Sequence, residues 1–340
     1  MRQTPFRRRA LAIVGVAAAA ALTLAGCSSS DTGSGNEGGD GAGLKSVKVG
    51  ISQLVQHPAL DAATDGFKQA FIDAGYEEGK TVEFDVQNAN NEQAVAVTIA
   101  QNFATSDNDL VLAVATPAAQ AAAQAITDKP ILFTAVTDAV AAKLVDSNEK
   151  PGGNITGTSD MAPLEDQLKM IQQIVPDAKK VGIVYASGEV NSEVQVKAAQ
   201  DAAKGLGIEI VTKTVTTAND IAQATEALGD VDAIYVPTDN MVVSGISSLV
   251  QVAEDKQIPV IGAESGTVKG GAIATLGIDY TELGKQTGEM AIKILQDGAD
   301  PAEMPVEFSK EFAYVVNPDA AKRMGVEIPK EILDKAETVE

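Results

Sequence analysis

The sequence predicts an α/β chain built as two doubly wound parallel-sheet lobes joined by a hinge of three crossovers. Three observations predict it. From residue 47 onward, short apolar runs of strand length alternate with stretches of helical periodicity. The run 110–115 is apolar throughout and 131–135 is apolar but for Thr134, as strands covered on both faces tend to be. The alternation also occurs twice, on either side of a turn-rich break at 151–158, which makes two halves of ordinary domain size.

The first 46 residues stand outside this pattern. Arg2, Arg7, Arg8 and Arg9 form a positive start, and residues 11–24 are apolar and rich in Ala. That run is short for a membrane span, which takes roughly 20 apolar residues, so residues 1–26 read as a signal peptide. Leu24-Ala25-Gly26-Cys27 resembles the bacterial lipobox, in which the cysteine is acylated and becomes the mature N-terminus. Cys27 is the only cysteine of the chain and is the expected lipidation site. Cleavage removes four Arg and no acid, leaving the mature chain four charges more negative than the formal −21 of the whole. Such a chain is not drawn to anionic headgroups, so attachment to the membrane is expected through the lipid anchor. Residues 27–46 follow as the lipidated Cys and a Gly/Ser tether with too little apolar surface to fold. The tether's Gly33-Ser-Gly35-Asn-Glu-Gly38 matches a dinucleotide-binding fingerprint in form only, because no strand precedes it and no helix follows.

Within the first half, residues 47–52 form a strand and 58–74 a helix with Phe67, Ala70 and Phe71 on one face. Residues 81–87 alternate Val82, Phe84 and Val86 as a second strand, and 92–104 is helical. Strand 110–115 leads into an Ala-rich helix, 117–126, with Pro117 in the first turn where its missing N–H costs nothing. Strand 131–135 closes the series. The second half places strands at 180–185, 208–214, 233–236 and 259–261. Its helices lie at 163–175, 189–205, 219–228 and 240–255. The tail adds a strand at 272–278, a helix at 280–295, two short extended pieces at 306–308 and 313–316, and a capped helix from Asn317. Chain crossings are expected near 155–160, 277–280 and 305–312. They divide the chain into lobe 1, 47–157 with 279–305, and lobe 2, 158–278 with 306–340.

Composition excludes several functions. With 26 Lys and Arg against 47 Asp and Glu, the chain has no basic footprint for nucleic acid. One His and one Cys leave no ordinary zinc set, Cys/His nucleophile pair or disulfide framework. There is no phosphate loop, no Gly-x-Ser-x-Gly elbow and no calcium loop. No cofactor and no metal are expected, and the chain is expected to be a monomer and not an enzyme.

In an open parallel sheet, ligands bind beyond the carboxyl ends of the strands. The residues found there are small hydroxyls, amides and acids, with helix N-termini behind them. They are Gln53 and His57 after the first strand, Thr116, Pro117 and Ala118 after the third, and Thr137 and Asp138 after the fourth. Ser187, Asn191, Asp239, Glu264 and Asp279 occupy the equivalent places further along. Free N–H groups at a helix N-terminus suit a carboxylate, which assigns one to Thr116, Ala118 and Thr137. An acid facing them suits an ammonium, and Asp138, Asp239, Glu264 and Asp279 are equal candidates. Together they fit a zwitterionic amino acid between the lobes, although each acid also suits a plain helix cap. His57 serves equally as a structural histidine or a ligand contact. Phe133, Tyr185, Tyr235 and Tyr280 are core aromatics, of which one or two near strand ends are placed to stack on an apolar ligand.

Six segments resemble the substrate-binding lipoproteins of ABC importers, in the branch for tryptophan or tyrosine uptake. They are residues 56–61 (Gln-His-Pro-Ala-Leu-Asp), 115–120 (Ala-Thr-Pro-Ala-Ala-Gln), 133–138 (Phe-Thr-Ala-Val-Thr-Asp), 154–160 (Asn-Ile-Thr-Gly-Thr-Ser-Asp), 237–240 (Pro-Thr-Asp-Asn) and 277–280 (Gly-Ile-Asp-Tyr). The resemblance implies a type I periplasmic-binding fold and delivery of the ligand to a membrane permease driven by a cytoplasmic ATPase. At residue 139 the chain has Ala where that family usually has Pro. The expected function is an extracytoplasmic, membrane-anchored binding protein that captures an aromatic or branched amino acid by hinge closure. An exported sensory receptor of the same fold, or an exported hydrolase using carboxylates, is the alternative.

Overall fold

The computed structural model describes residues 44–309 and 311–339. The expected signal peptide, the lipidation at Cys27 and all but the last residues of the tether lie outside the described residues.

Lobe 1 begins with β1 (Val47–Gln53), α1 (Pro58–Asp73), β2 (Val82–Asn88), α2 (Gln93–Thr105), β3 (Leu110–Val114), α3 (Thr116–Ala125), β4 (Ile131–Val136) and β5 (Ile155–Ser159). Lobe 2 runs through α4 (Leu164–Ile174), β6 (Lys180–Ala186), α5 (Val190–Leu206), β7 (Glu209–Val215), α6 (Ile221–Glu226), β8 (Ala233–Val236), α7 (Asn240–Ser244), α8 (Ile246–Lys256), β9 (Val260–Gly262), α9 (Ser265–Lys269) and β10 (Ala274–Gly277). The chain then returns to lobe 1 as α10 (Tyr280–Asp297) and β11 (Glu307–Phe308). It ends in lobe 2 as β12 (Ala313–Val316), α11 (Pro318–Arg323), α12 (Lys330–Leu333) and β13 (Ala336–Thr338).

The strand order is β11-β5-β4-β3-β1-β2 in lobe 1 and β13-β12-β10-β9-β8-β6-β7 in lobe 2. All pairs are parallel except β10 with β12. Each sheet carries its own core. Phe67, Phe71, Phe103 and Phe133 fill lobe 1, and Leu168, Ile183, Ile234 and Leu249 fill lobe 2. Residues just past the strand C-termini of both sheets, Thr137 in one and Asp239 and Glu264 in the other, line one shared cavity, so both sheets turn those ends to the gap between the lobes.

Three details differ from the sequence-based expectation. The turn-rich stretch at 151–158 ends in strand β5, paired to β4. Gly157 permits this: a Cβ there would run into the backbone of Phe133, so only glycine lets β5 lie so close. Lobe 1 therefore extends to Ser159 and also holds β11, which pairs with β5 through Glu307 and Phe308. The chain passes between lobes at 160–163, at 278–279 and between β11 and β12. The single helix expected at 240–255 is two, α7 and α8, broken at Gly245, where a Cβ would come within 2.6 Å of Ile221 Cδ1. No helix among the described residues is long and apolar enough to cross a membrane.

Candidate functional site

The lobe 1 wall is built by the ends of β1, β4 and β5. Gln53 closes β1 and is fully committed within lobe 1. Its Nε2 donates to Val55 O (2.9 Å) and Asp61 Oδ1 (2.6 Å), and its Oε1 accepts from Thr64 Oγ1 (2.9 Å). These bonds fix the loop that presents His57 at the start of α1. The His57 imidazole is 91% buried, and neither ring nitrogen has a hydrogen-bond partner among the described residues. Burial pushes its pKa down to about 4, against the smaller opposing effects of Asn240 and Asp61. Two alanines turn the backbone into the cleft with positive φ: Ala115 (82°) after β3 and Ala135 (55°) at a bulge in β4. Such geometry costs about 1–2 kcal/mol per alanine and concentrates at functional sites. It aims Thr137 at the gap. There Thr137 Oγ1 donates to Asp160 Oδ1 (3.0 Å), and Tyr280 Oη donates to Asp160 Oδ2 (2.8 Å).

The lobe 2 wall is a network of acids and amides. Asp239 caps α7. Its Oδ1 accepts from Val242 N–H (2.8 Å), and its Oδ2 accepts from Ala186 N–H (2.6 Å) and Ser192 Oγ (2.7 Å). Glu189 accepts from Asn191 Nδ2 (2.9 Å), Asn240 N–H (3.1 Å), Asn240 Nδ2 and Met241 N–H (3.1 Å). Burial, with Asp239 beside it, raises the Glu189 pKa to about 7. Glu264 caps α9 through Gly266 N–H and Thr267 N–H, and burial lifts it also to about 7. Asp239 and Asp160 are raised for the same first reason, loss of solvent.

The two walls meet. Thr137 Oγ1 lies 3.3 Å from Thr238 Oγ1, and Gln195 Nε2 reaches both hydroxyls. Inside this contact a cavity of about 10 Å³ is lined by His57, Thr137 and Tyr280 from one side and by Asn191, Asp239 and Glu264 from the other, with Asp160 at its hinge end. That volume is close to the room one water needs. Beside it, a larger space of about 300 Å³ opens between Leu54, Gln93 and Pro117 of lobe 1 and Ser187, Val215 and Met241 of lobe 2.

The structure thus brings five of the expected residues into the polar cavity: His57, Thr137, Asn191, Asp239 and Glu264. Pro117 and Ser187 line the larger space. Five others do not line the polar cavity. Gln53 is spent on the β1–α1 loop. Thr116 is buried in the first turn of α3 with its Oγ1 unpartnered among the described residues, and Ala118 is packed in the lobe 1 core. Asp138 accepts from Val140 N–H (3.0 Å) and Ala141 N–H (2.9 Å), which closes the turn that buries Ala139. Asp279 is exposed and caps α10 through Thr281 N–H (2.8 Å) and Glu282 N–H (3.3 Å). Sequence reasoning missed Asp160, Gln195 and Thr238 and placed Tyr280 with the core aromatics. Part of their signal was available: Asp160 is the first polar side chain of the first crossing, and Tyr280 follows directly on the second. Tyr235 is a core residue whose hydroxyl donates to Gln167 Oε1 (2.6 Å).

Comparison with known proteins places the chain. A family model described as ABC transporter substrate binding protein matches residues 48–340. The chain belongs to this family. Its members are binding proteins, so the work of this substrate-binding protein is capture rather than turnover. It is 42% identical over 319 residues to a tyrosine-binding protein of Clostridioides difficile (strain R20291), covering 93% of this chain and 92% of the relative. The ABC domain in complex with L-Trp from Streptococcus pneumonia is 35% identical, with a TM-score of 0.84 over 87% of this chain and all of that one. A ligand-free, open substrate binding protein with adhesive properties from Clostridium difficile is 44% identical, with a TM-score of 0.67 over 86% of this chain and 99% of that one.

Proposed function

We propose that this protein is the extracytoplasmic, lipid-anchored receptor of an ABC importer, a monomer that captures an aromatic amino acid by closing its lobes on it. One observation carries the closing mechanism. The protein is nearer in sequence to the ligand-free, open relative, at 44% against 35%, yet nearer in shape to the L-Trp complex, at 0.84 against 0.67. Sequence divergence acts in the opposite direction, which supports a different disposition of the two lobes as the source of the gap. The Thr137–Thr238 contact across the cleft fits the closed arrangement. The three crossings at 160–163, at 278–279 and between β11 and β12 are the natural hinge, since they alone join the lobes covalently.

The ligand class is argued from relatives and from the walls. One relative is named for tyrosine and another holds tryptophan. The larger space has the scale of a small-molecule pocket and a mixed lining, in which Leu54, Pro117, Val215 and Met241 suit an aromatic ring and Asn91, Gln93, Ser187, Glu189 and Thr216 are polar. The polar cavity beside it, with room for about one water-sized group, suits one charged end of the ligand. Buried polar atoms normally find partners, and ligand atoms would supply them to His57 and Asn191 Oδ1, both in residues that line the cavity. Thr137 and the N-terminus of α3 take the carboxylate in this arrangement. Closure then presents both lobes to the permease in one register, and its ATPase drives release.

Thermal unfolding against the twenty amino acids, sugars and nucleosides tests the assignment, after partial unfolding to strip carried-over ligand. At 100 times its Kd a native-state ligand adds about 2.7 kcal/mol. A rise confined to aromatic amino acids is expected. A rise with sugars or nucleosides alone contradicts the ligand class and leaves the fold intact.

A further inference from the structure

We infer that Gln195, one turn inside α5, is a positioning residue that latches the closed lobes and so sets how long the ligand stays. This rests on the reading of the lobes as closing on a ligand, and it names the side chain that holds them shut.

Both ends of the buried Gln195 amide are used. Its Oε1 accepts from Thr238 N–H (3.2 Å), and its Nε2 donates to Asn191 O (3.3 Å) and to Thr238 Oγ1. The amide can sit only one way round, because its oxygen faces an N–H and its nitrogen faces a carbonyl. That orientation sets the direction of the hydrogen bonds beyond it. Thr238 Oγ1 accepts from Gln195, so its own hydrogen is free to donate to Thr137 Oγ1 (3.3 Å) across the cleft. Thr137 in turn donates to Asp160 Oδ1 (3.0 Å), where the first crossing begins. Gln195 Nε2 also reaches Thr137 directly, at 3.4 Å. One directed relay therefore runs from α5 of lobe 2, through both threonines, to the hinge.

The relay has no competitor. Among the described residues, the contacts of Thr137 with Thr238 and Gln195 are the only side-chain hydrogen bonds from one lobe to the other, and no ion pair joins the lobes. When the lobes part, Thr137 leaves and water takes its place. The net gain on closing is thus that of an ordinary hydrogen bond, enough to bias closure and too little to prevent opening. Contacts made only after the lobes meet stabilise the closed state alone. A ligand entering the open cleft does not sense them, whereas a ligand leaving must wait for them to break. The latch acts on release.

Stopped-flow mixing with L-tryptophan, followed by the ligand's own emission, measures association; dilution of the complex measures release. Gln195→Met keeps the length of the side chain and removes the amide. It should speed release about fivefold, the worth of one net hydrogen bond, with association within about twofold of wild type. Thr238→Val should do the same. The double variant should release no faster than the quicker single one, because both break one relay. Gln172→Met, which loses an amide bonded to Leu206 O in lobe 2, should leave both rates unchanged. If Gln195→Met does not fold, Gln195→Glu, which keeps the acceptor for Thr238 N–H and loses the donor, carries the same expectations. Release at the wild-type rate in the Gln195 variant overturns the latch. So do slowed association in place of faster release, an additive double variant at about 25-fold, and a Gln172→Met as fast as Gln195→Met. Wild type that binds no aromatic amino acid overturns the capture reading itself, and the latch with it.

Discussion

Replacing Gly284 by Ala should destabilise lobe 1 far more than one methyl group suggests. Helices α1 and α10 cross on glycines: Gly66 from α1, Gly284 and Gly288 from α10. A Cβ on Gly284 would meet Ala63 O roughly 1 Å inside the 3.0 Å that real Cβ contacts respect, and the atom it meets is backbone, which cannot rotate away. The helices must separate by that amount. A gap of this size forfeits a quarter to a half of each dispersion contact along the crossing, and overpacking of a tight core costs about 1–3 kcal/mol or more. We expect a loss of at least about 3 kcal/mol. The displacement also reaches the cleft, because α1 begins beside His57 and α10 begins at Tyr280. Gly205→Ala supplies the contrast. It lies in α5 with nothing within 4 Å of a new Cβ and an ordinary helical φ, so relief of glycine's conformational freedom should stabilise the protein by about 0.5–1 kcal/mol. Urea unfolding of the two variants and wild type, compared by midpoint at constant slope, measures both. Equal effects, or a Gly284→Ala loss under about 1 kcal/mol, would refute the reasoning.

Further expectations follow from the cleft. The raised pKa of Glu264, from 4.5 to about 7, means that the folded protein binds the proton more tightly than the unfolded chain. Stability is therefore greatest below about pH 4.5 for this group and falls as pH rises to about 7, by about 3 kcal/mol. Buried Asp160, Asp239 and Glu189 act in the same direction and together outweigh His57, whose lowered pKa acts in the opposite one, so the ligand-free protein should melt higher at pH 5 than at pH 7.5. An equal or higher melting point at pH 7.5 contradicts this, and Glu264→Gln should flatten the slope. Thr238→Val removes the hydroxyl that meets Thr137 and Gln195 while keeping the shape; ligand affinity should fall about fivefold, the worth of one net hydrogen bond of about 1 kcal/mol, with the melting point of the free protein nearly unchanged. His57→Phe keeps the packing of a buried ring and removes both nitrogens; titration should show at least a tenfold loss of affinity, and unchanged affinity would contradict a ligand contact at His57.

The order of the elements was legible because parallel strands between helices read as near-continuous apolar runs, and 110–115 and 131–135 have no other sensible home. Strand β5 was not, because Ile-Thr-Gly-Thr-Ser has the composition of a turn. Its extended backbone comes from lying against β4, where Gly157 alone fits. The strand-end rule found His57, Thr137, Asn191, Asp239 and Glu264, since it depends only on chain direction. It could not sort the acids. A carboxylate after a strand caps a helix or faces a ligand by the same local pattern, and only the fold shows that Asp138 and Asp279 point into their own turns. Asp160 and Gln195 escaped for opposite reasons: one sits on a crossing rather than at a helix start, and the other lies one turn inside α5, where a glutamine reads as surface.

The chain has no tryptophan of its own, so the indole emission of added L-tryptophan reports on the ligand alone. A fluorescence titration of the stripped protein is therefore the most direct test of aromatic amino-acid capture. The account predicts a blue shift as the ring leaves water, saturating at one ligand per chain and reversed by L-tyrosine. Emission that stays that of free tryptophan at every protein concentration would contradict it.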